Sequence, residues 1–196
     1  MGEKIRRLIG VVLIIVGLAL IASIAYKKIE TSKRQKELQN ILEEVINEEP
    51  KSKEDGTEEK SINGYKPIAL IEIPSINLSQ GLVEGITDDI LQYYLGHFAD
   101  SAGPGEKGNF AVAGHRVSDY SEAFVNLYKV EKGDKILVKA NKKEYIYEIT
   151  DNFIVDPSNV EVLDNTSEAT ITLVTCTVGA KERVIVKGNL IETKDL

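Results

Sequence analysis

The chain has 196 residues, 42% of them hydrophobic, and carries 24 Lys+Arg against 31 Asp+Glu for a formal charge of −7. That length holds one ordinary domain plus an appendage, the hydrophobic share excludes a disordered chain, and the acidic balance without a concentrated basic face excludes nucleic acid as a partner. Residues 1–64 carry 11 basic and 11 acidic side chains while residues 65–196 carry 13 and 20, so the net charge belongs to the C-terminal part.

From Leu8 to Tyr26 the chain runs 19 residues without a charge, which at ~1.5 Å per helical residue spans roughly 28 Å, close to the hydrocarbon thickness of a bilayer. The stretch reads as an uncleaved membrane anchor over residues 1–26. A cleaved signal peptide has a shorter apolar region and a small-residue cleavage site, which Ala22-Ser23-Ile24-Ala25 imitates only loosely. From Lys27 to Glu49, charged residues surround Leu38, Ile41, Leu42, Val45 and Ile46 at helical spacing, the pattern of a solvated amphipathic helix acting as a stalk. Lys51 to Gly64 is almost wholly Lys, Glu, Ser, Asp and Gly, too polar to bury a core, so residues 27–64 form a charged stalk and flexible linker. A folded domain is expected over 65–196.

Within that domain Ile68–Ile73 alternates as a strand, Pro74 punctuates it, and Leu78–Val83 is a second strand. Thr87 is placed to cap a short helix carrying Ile90, Leu91, Tyr94 and Leu95, with His97 following it. Gly103-Pro104-Gly105-Glu106 is a turn, Asn109–Ala113 a short buried strand, and Ser121 the expected cap of a second helix containing Phe124, Leu127 and Tyr128. Lys135–Ala140 and Glu144–Val155 read as a hairpin across Asn141-Lys142-Lys143. Many short strands with small helices between them describe a mostly-β barrel or sandwich rather than a parallel α/β sheet.

The chemistry concentrates at residues 170–190. A β-branched run ends at Cys176, the only cysteine; a short segment with Gly179 follows, and a second run starts at Arg183. Strand alternation puts Ile171 and Leu173 on one face, with Val184 and Val186 as their counterparts, so these face the core and the thiol and guanidinium share the opposite face. A thiol becomes a nucleophile when a nearby cation favours its ionised form. Of five arginines, Arg6, Arg7 and Arg34 lie in the anchor or stalk; the other two are Arg116, beside His115, and Arg183. Taken singly each has a plain structural reading: a buried thiol, a core histidine, a solubilising arginine.

Two separated stretches resemble a known family. Thr172-Leu173-Val174-Thr175-Cys176 followed by Arg183-Val184-Ile185-Val186 is similar to the TLxTC and Rxx(V/I) signature of sortases, and Gly108 through Arg116 is similar to their GNxxxAGHR segment. Ile71-Glu72-Ile73-Pro74 and Pro104-Gly105-Glu106 extend the resemblance over about residues 66–190. It implies a closed β-barrel of about eight strands with short helices, preceded by the transmembrane helix. It also implies roles: Cys176 as nucleophile, His115 as general acid, and Arg183 binding substrate and stabilising the oxyanion, with no cofactor; no acidic cluster makes a convincing match to the calcium site of some class A members, Glu106 and the Asp88/Asp89 pair being the candidates. The expected reaction cleaves an LPxTG-like sorting signal of surface proteins between Thr and Gly through a thioester and passes the acyl group to a peptidoglycan-precursor amine. The short Cys176 to Arg183 spacing, the single N-terminal anchor, the absence of an Asp-Pro-aromatic lid before the domain and of a hydrophobic segment after residue 190 resemble class D most, ahead of classes A and E.

A literal count of lysines and arginines flanking the anchor favours a cytoplasmic C-terminal part. The resemblance overrides it and implies a membrane protein with its domain on the extracellular face, where substrate and amine donor are tethered. Two other readings compete: an L,D-transpeptidase, whose Ser-His-Gly-Cys segment is missing because Thr175 precedes Cys176, and a membrane-tethered wall-binding module with an inert thiol.

Overall fold

The computed structural model describes residues 2–47, 61, 64–117 and 123–196. Helix α1 runs unbroken over Gly2–Asn47 and is followed by β1 (Pro67–Ile73), β2 (Leu78–Glu84), the one-turn helix α2 (Asp88–Leu91), β3 (Leu95–His97), β4 (Gly108–Ala113), β5 (Lys135–Ala140), β6 (Lys143–Val155), β7 (Ala169–Cys176) and β8 (Arg183–Asp195). The strands close into a barrel in the order β1-β2-β3-β4-β7-β8-β6-β5. Closure leaves no unpaired sheet edge, so every strand can bury one face inward. β2 pairs with β3, and β4 with β7, in parallel; the remaining contacts are antiparallel.

Alternation builds the interior. Ala69, Ile71 and Ile73 of β1 meet Phe110 and Val112 of β4, Val138 of β5, Tyr147 and Ile149 of β6, Ile171 and Leu173 of β7 and Val186 of β8 in one buried cluster. Phe124 and Leu127, both fully buried, belong to the same cluster and come from the connection between β4 and β5. Phe124 reaches close to β4 because residue 114 is glycine: a Cβ there would lie 2.6 Å from the Phe124 ring. Asn141 and Lys142, at φ of 51° and 60°, form the two-residue turn of the β5–β6 hairpin, the left-handed pair that a tight hairpin needs.

Three expectations change. The helix begun at Thr87 ends at Leu91, and Thr87 makes no side-chain capping bond; Leu95 and His97 instead belong to β3. That strand threads beside β2 only because residue 96 is glycine, since a Cβ would lie 2.3 Å from the Gly85 carbonyl oxygen. Around Phe124 the chain forms turns and a 3-10 segment at Leu127–Lys129 rather than a helix; the expected cap, Ser121, lies outside the described residues. The third change is in α1, which is long and apolar enough to cross a membrane near its N-terminus, with Leu13, Ile21 and Ile24 more than half exposed. Its later part does not stand free in solvent. Leu38 and Leu42 are fully buried against Val83, Ile90 and Tyr94, with Ile41 beside them, and the Arg34 guanidinium lies 4.4 Å from the centroid of the Tyr93 ring. Gly81 of β2 makes room, because a Cβ at that position would sit 2.0 Å from Leu38 Cδ2. The expected flexible segment, Lys51–Gly64, lies almost entirely outside the described residues.

Candidate active site

The antiparallel register of β7 and β8 sets Cys176 directly opposite Arg183. Directly opposed residues project from the same face, and since Ile171 and Leu173 fill the interior, the thiol lies on the outside of the barrel at its rim. β4 lies beside β7 in parallel with Ala113 level with Val174. His115 and Cys176 are therefore each two residues beyond the last level pair. Thr175, turned inward and 3% exposed, donates through Oγ1 to the Gly114 carbonyl at 2.8 Å, and the Gly114 amide donates to the Val174 carbonyl at 3.1 Å. These two bonds hold the end of β4, and with it His115, against the end of β7. Phe124 donates its amide to the His115 carbonyl at 3.1 Å, which fixes the backbone on the other side.

Cys176 is half-buried and free of any disulfide. Among the described residues neither its thiol nor the His115 imidazole is engaged in a hydrogen bond, so both remain available to a ligand. The Arg183 guanidinium donates through Nη1 to the carbonyls of Ala180 at 3.3 Å and Glu182 at 3.2 Å. It thus caps the β7–β8 turn, which is closed by the Thr177 amide on the Glu182 carbonyl and by Gly179 and Ala180 at positive φ. Asp156, just beyond β6, has its carboxyl held below the ordinary aspartate range by hydrogen bonds from the Ser158 hydroxyl and amide, with the charge of Arg183 adding to the effect.

A cleft of about 350 Å³ opens at this rim and takes in Cys176 and Thr175. Its walls are apolar, supplied by Phe124, Tyr128, Ile154 and Val178, and among the described residues its one charged group is Arg116. Such a cleft suits an extended peptide with apolar side chains, a thiol at one edge to attack it and cations nearby to receive negative charge. Sequence reasoning singled out His115, Arg116, Cys176 and Arg183 but missed Thr175, Tyr128 and Ile154. Thr175 had left a signal: it is a polar residue on the face of β7 whose other members, Ile171 and Leu173, are apolar. Tyr128 and Ile154 left none: Ile154 comes beside the end of β7 only because β6 and β7 both pair with β8, and Tyr128 comes from the connection between β4 and β5.

His97, the other histidine, is 6% exposed. Its Nδ1 is 2.9 Å from Glu84 Oε1 and its Nε2 lies 3.0 Å from both the Ala102 carbonyl and Ser101 Oγ. Ser101 Oγ in turn donates to the Phe98 carbonyl and accepts from the Ala111 amide, so this Ser-His-Glu row is a strut under β4 and its hydroxyl is already committed. Among the described residues no three His, Cys, Asp or Glu side chains gather as a metal-holding group.

A sortase-domain family model matches residues 71–191. The chain is 29% identical to a sortase A from Bacillus anthracis over 98% of its own length and 97% of the relative's. It is 28% identical to a sortase D from Bacillus subtilis, covering 81% and 82%. Among solved structures, a Clostridium perfringens sortase D5 transpeptidase is 37% identical and superimposes with a TM-score of 0.69 over 82% of this chain and 99% of that one.

Proposed function

The chain belongs to the sortase family of cysteine transpeptidases, and from that premise we propose that Cys176, His115 and Arg183 carry the reaction. The sulfur of Cys176, as thiolate, attacks the carbonyl carbon of the scissile peptide bond; a C–S bond forms and the carbonyl becomes a tetrahedral oxyanion. Arg183 swings its guanidinium from the Ala180 and Glu182 carbonyls to that oxygen, offering two N–H donors in a fixed fork. His115, as imidazolium, gives its proton to the departing amine as the C–N bond breaks, leaving a thioester. An incoming amine then attacks the thioester, His115 takes up the proton it sheds, and the thiolate departs as the new amide forms. The closing step restores both charges.

The acyl donor is an LPxTG-like sorting signal at the C-terminus of a surface protein, cut between Thr and Gly, and the acceptor is an amine of a peptidoglycan precursor. The extended apolar cleft beside Cys176 supports the donor, and the β7–β8 pairing of Cys176 with Arg183 is the observation on which the reading rests. Apolar helix α1 anchors the chain in the membrane, with the barrel outside, where both substrates are tethered. Class D is the type this reading assigns, supported by the likeness to the sortase D relatives. An open cleft around a half-buried thiol speaks against a wall-binding module with an inert cysteine.

The test is turnover of a quenched LPxTG peptide by the full chain in detergent micelles. The wild type cleaves it, Cys176→Ala abolishes cleavage, and mass spectrometry of the enzyme trapped with peptide and no acceptor shows Cys176 carrying the acyl group. Cleavage undiminished in Cys176→Ala removes the proposal.

A further inference from the structure

We propose that the outward stripe Tyr26, Ile29, Lys33 and Lys36 of α1, with Lys28 beside it, is a docking surface for the phosphate headgroups of anionic phospholipids; this rests on the reading of α1 as the membrane anchor. The four residues are spaced by three, four and three, so at ~100° per residue they share one face of the helix. The barrel lies on the other side: Leu38 and Leu42 are the residues buried against it, and the nine positions from Ile29 to Leu38 turn the helix through about 180°. Tyr26 and Ile29 are 68% and 57% exposed. Lys28, Lys33 and Lys36 are exposed as well, and among the described residues none of the three has a hydrogen-bond or ion-pair partner. Arg34, by contrast, is already held by the Glu30 carboxylate at 2.9 Å and by the Tyr93 ring.

Charge identifies what the stripe meets. Residues 27–37 carry five Lys+Arg and two Asp+Glu, a net of +3, whereas residues 38–196 carry 16 and 28, a net of −12. An anionic surface therefore repels the barrel and attracts this collar. Position agrees with charge. Tyr26 closes the uncharged run that begins at Leu8, and a tyrosine in that place sits at headgroup level; Lys33 and Lys36 follow ~10 and ~15 Å along the axis. A lean of the helix toward its stripe lowers Ile29 to the acyl boundary and brings the ends of the long lysine side chains to the phosphates. Five cations on the outer flank of an anchor run against the bias that keeps Lys and Arg in the cytoplasm. Binding lipid phosphate gives them a use at the outer face. The same lean tips the barrel, mounted on the opposite side of α1, away from the lipid.

The full chain is reconstituted in phosphatidylcholine vesicles holding roughly 30% phosphatidylglycerol, and electron paramagnetic resonance of spin-labelled phosphatidylglycerol and phosphatidylcholine reads how strongly each lipid associates with the protein. The wild type is expected to prefer the phosphatidylglycerol probe about fivefold, and about 0.5 M salt to abolish the preference. Lys28→Gln, Lys33→Gln and Lys36→Gln combined should lower it to about twofold, the remainder belonging to Lys4, Arg6 and Arg7 at the other end of the span. Arginine at the same three positions should keep the full preference. Lys107→Gln, Lys132→Gln and Lys143→Gln combined, which remove the same charge from the barrel, should leave it at its wild-type value. A wild type without preference, a preference that survives in the collar variant, or an equal loss in the barrel variant overturns the proposal while the chain stays in the vesicles. A chain that alkaline carbonate washes off the vesicles overturns the reading of α1 as an anchor, and the proposal with it.

Discussion

The guanidinium of Arg183 is occupied at rest by two turn carbonyls, so the oxyanion role proposed for it depends on exchanging one pair of acceptors for another. A lysine has one compact charge and cannot span two acceptors in a plane. Arg183→Lys is accordingly expected to lower kcat by about 10² to 10³, the usual cost of losing an oxyanion donor, while leaving KM for the donor peptide near its original value; steady-state kinetics check this. Tyr147 governs a different property. It is fully buried, its hydroxyl accepts from the Gly105 amide at 2.8 Å, and burial pushes its pKa to about 12. An acid with a raised folded pKa holds its proton more tightly when folded, so its stabilising contribution is complete below the unfolded value of about 10 and is lost as pH rises toward the folded value. Stability is expected to fall by about 2 kcal/mol between pH 10 and 12 on this account, and Tyr147→Phe should flatten that limb in denaturant titrations. The Asp156 carboxyl works in the opposite sense: held low by Ser158, it contributes at neutral pH and loses that contribution as pH falls through its depressed value. Side chains of this kind differ in what the sequence discloses. The pairing of Cys176 with Arg183 follows from strand parity and a short turn, both local. Tyr147 and Asn109 depend on partners 42 and about 55 positions away, and no local pattern points to those.

Secondary structure was legible wherever period and turn chemistry agreed. The β5–β6 hairpin and the β7–β8 pair lie close to the positions their alternating residues specify. β3 was hidden because three residues are too short to show a period, and its place beside β2 is set by Gly85 and Gly96 meeting closely. The hairpin turn offers a test of local strain. Lys142 sits at a φ of 60°, a conformation that costs a side-chain-bearing residue about 1–2 kcal/mol, part of which glycine returns as greater freedom in the unfolded chain. Lys142→Gly is expected to stabilise by about 0.5–1 kcal/mol, read as a rise of a few degrees in the thermal midpoint. The later part of α1 shows the other limit of sequence reading. An amphipathic pattern names an apolar face without saying what covers it, and here the cover is β2 with Val83, Ile90 and Tyr94. Gly81→Val fills the space that Leu38 occupies, so exchange over residues 34–42 is expected to accelerate tenfold or more, a loss of at least about 1.4 kcal/mol of local stability, with the barrel's own exchange unchanged.

At the scale of the whole chain two surfaces of different character are joined. The first half of α1 displays Leu13, Ile21 and Ile24 outward, whereas the barrel keeps its apolar residues inside. Removing residues 2–26 is expected to move the protein from the membrane fraction to the soluble fraction on cell fractionation while sparing turnover of short peptides, since nothing in the cleft comes from that segment. The unbroken course of α1 has a further geometric result. From Tyr26 to Arg34, where contact with the barrel begins, the rigid stem measures about 12 Å. In the ring of strands β7 and β8 stand opposite β1 and β2, the strands beside which the stem docks. Under the proposed anchoring, a mount this short and stiff would hold the sulfur at a nearly constant altitude over the lipid, within a thin slab parallel to it. Tethered donors would then be measured as well as read: with the spacer between a donor's own membrane segment and its scissile bond required to end inside the slab, stretching that spacer stepwise in reconstituted vesicles should produce a rate optimum that the Gly81→Val stem, free to swing, broadens.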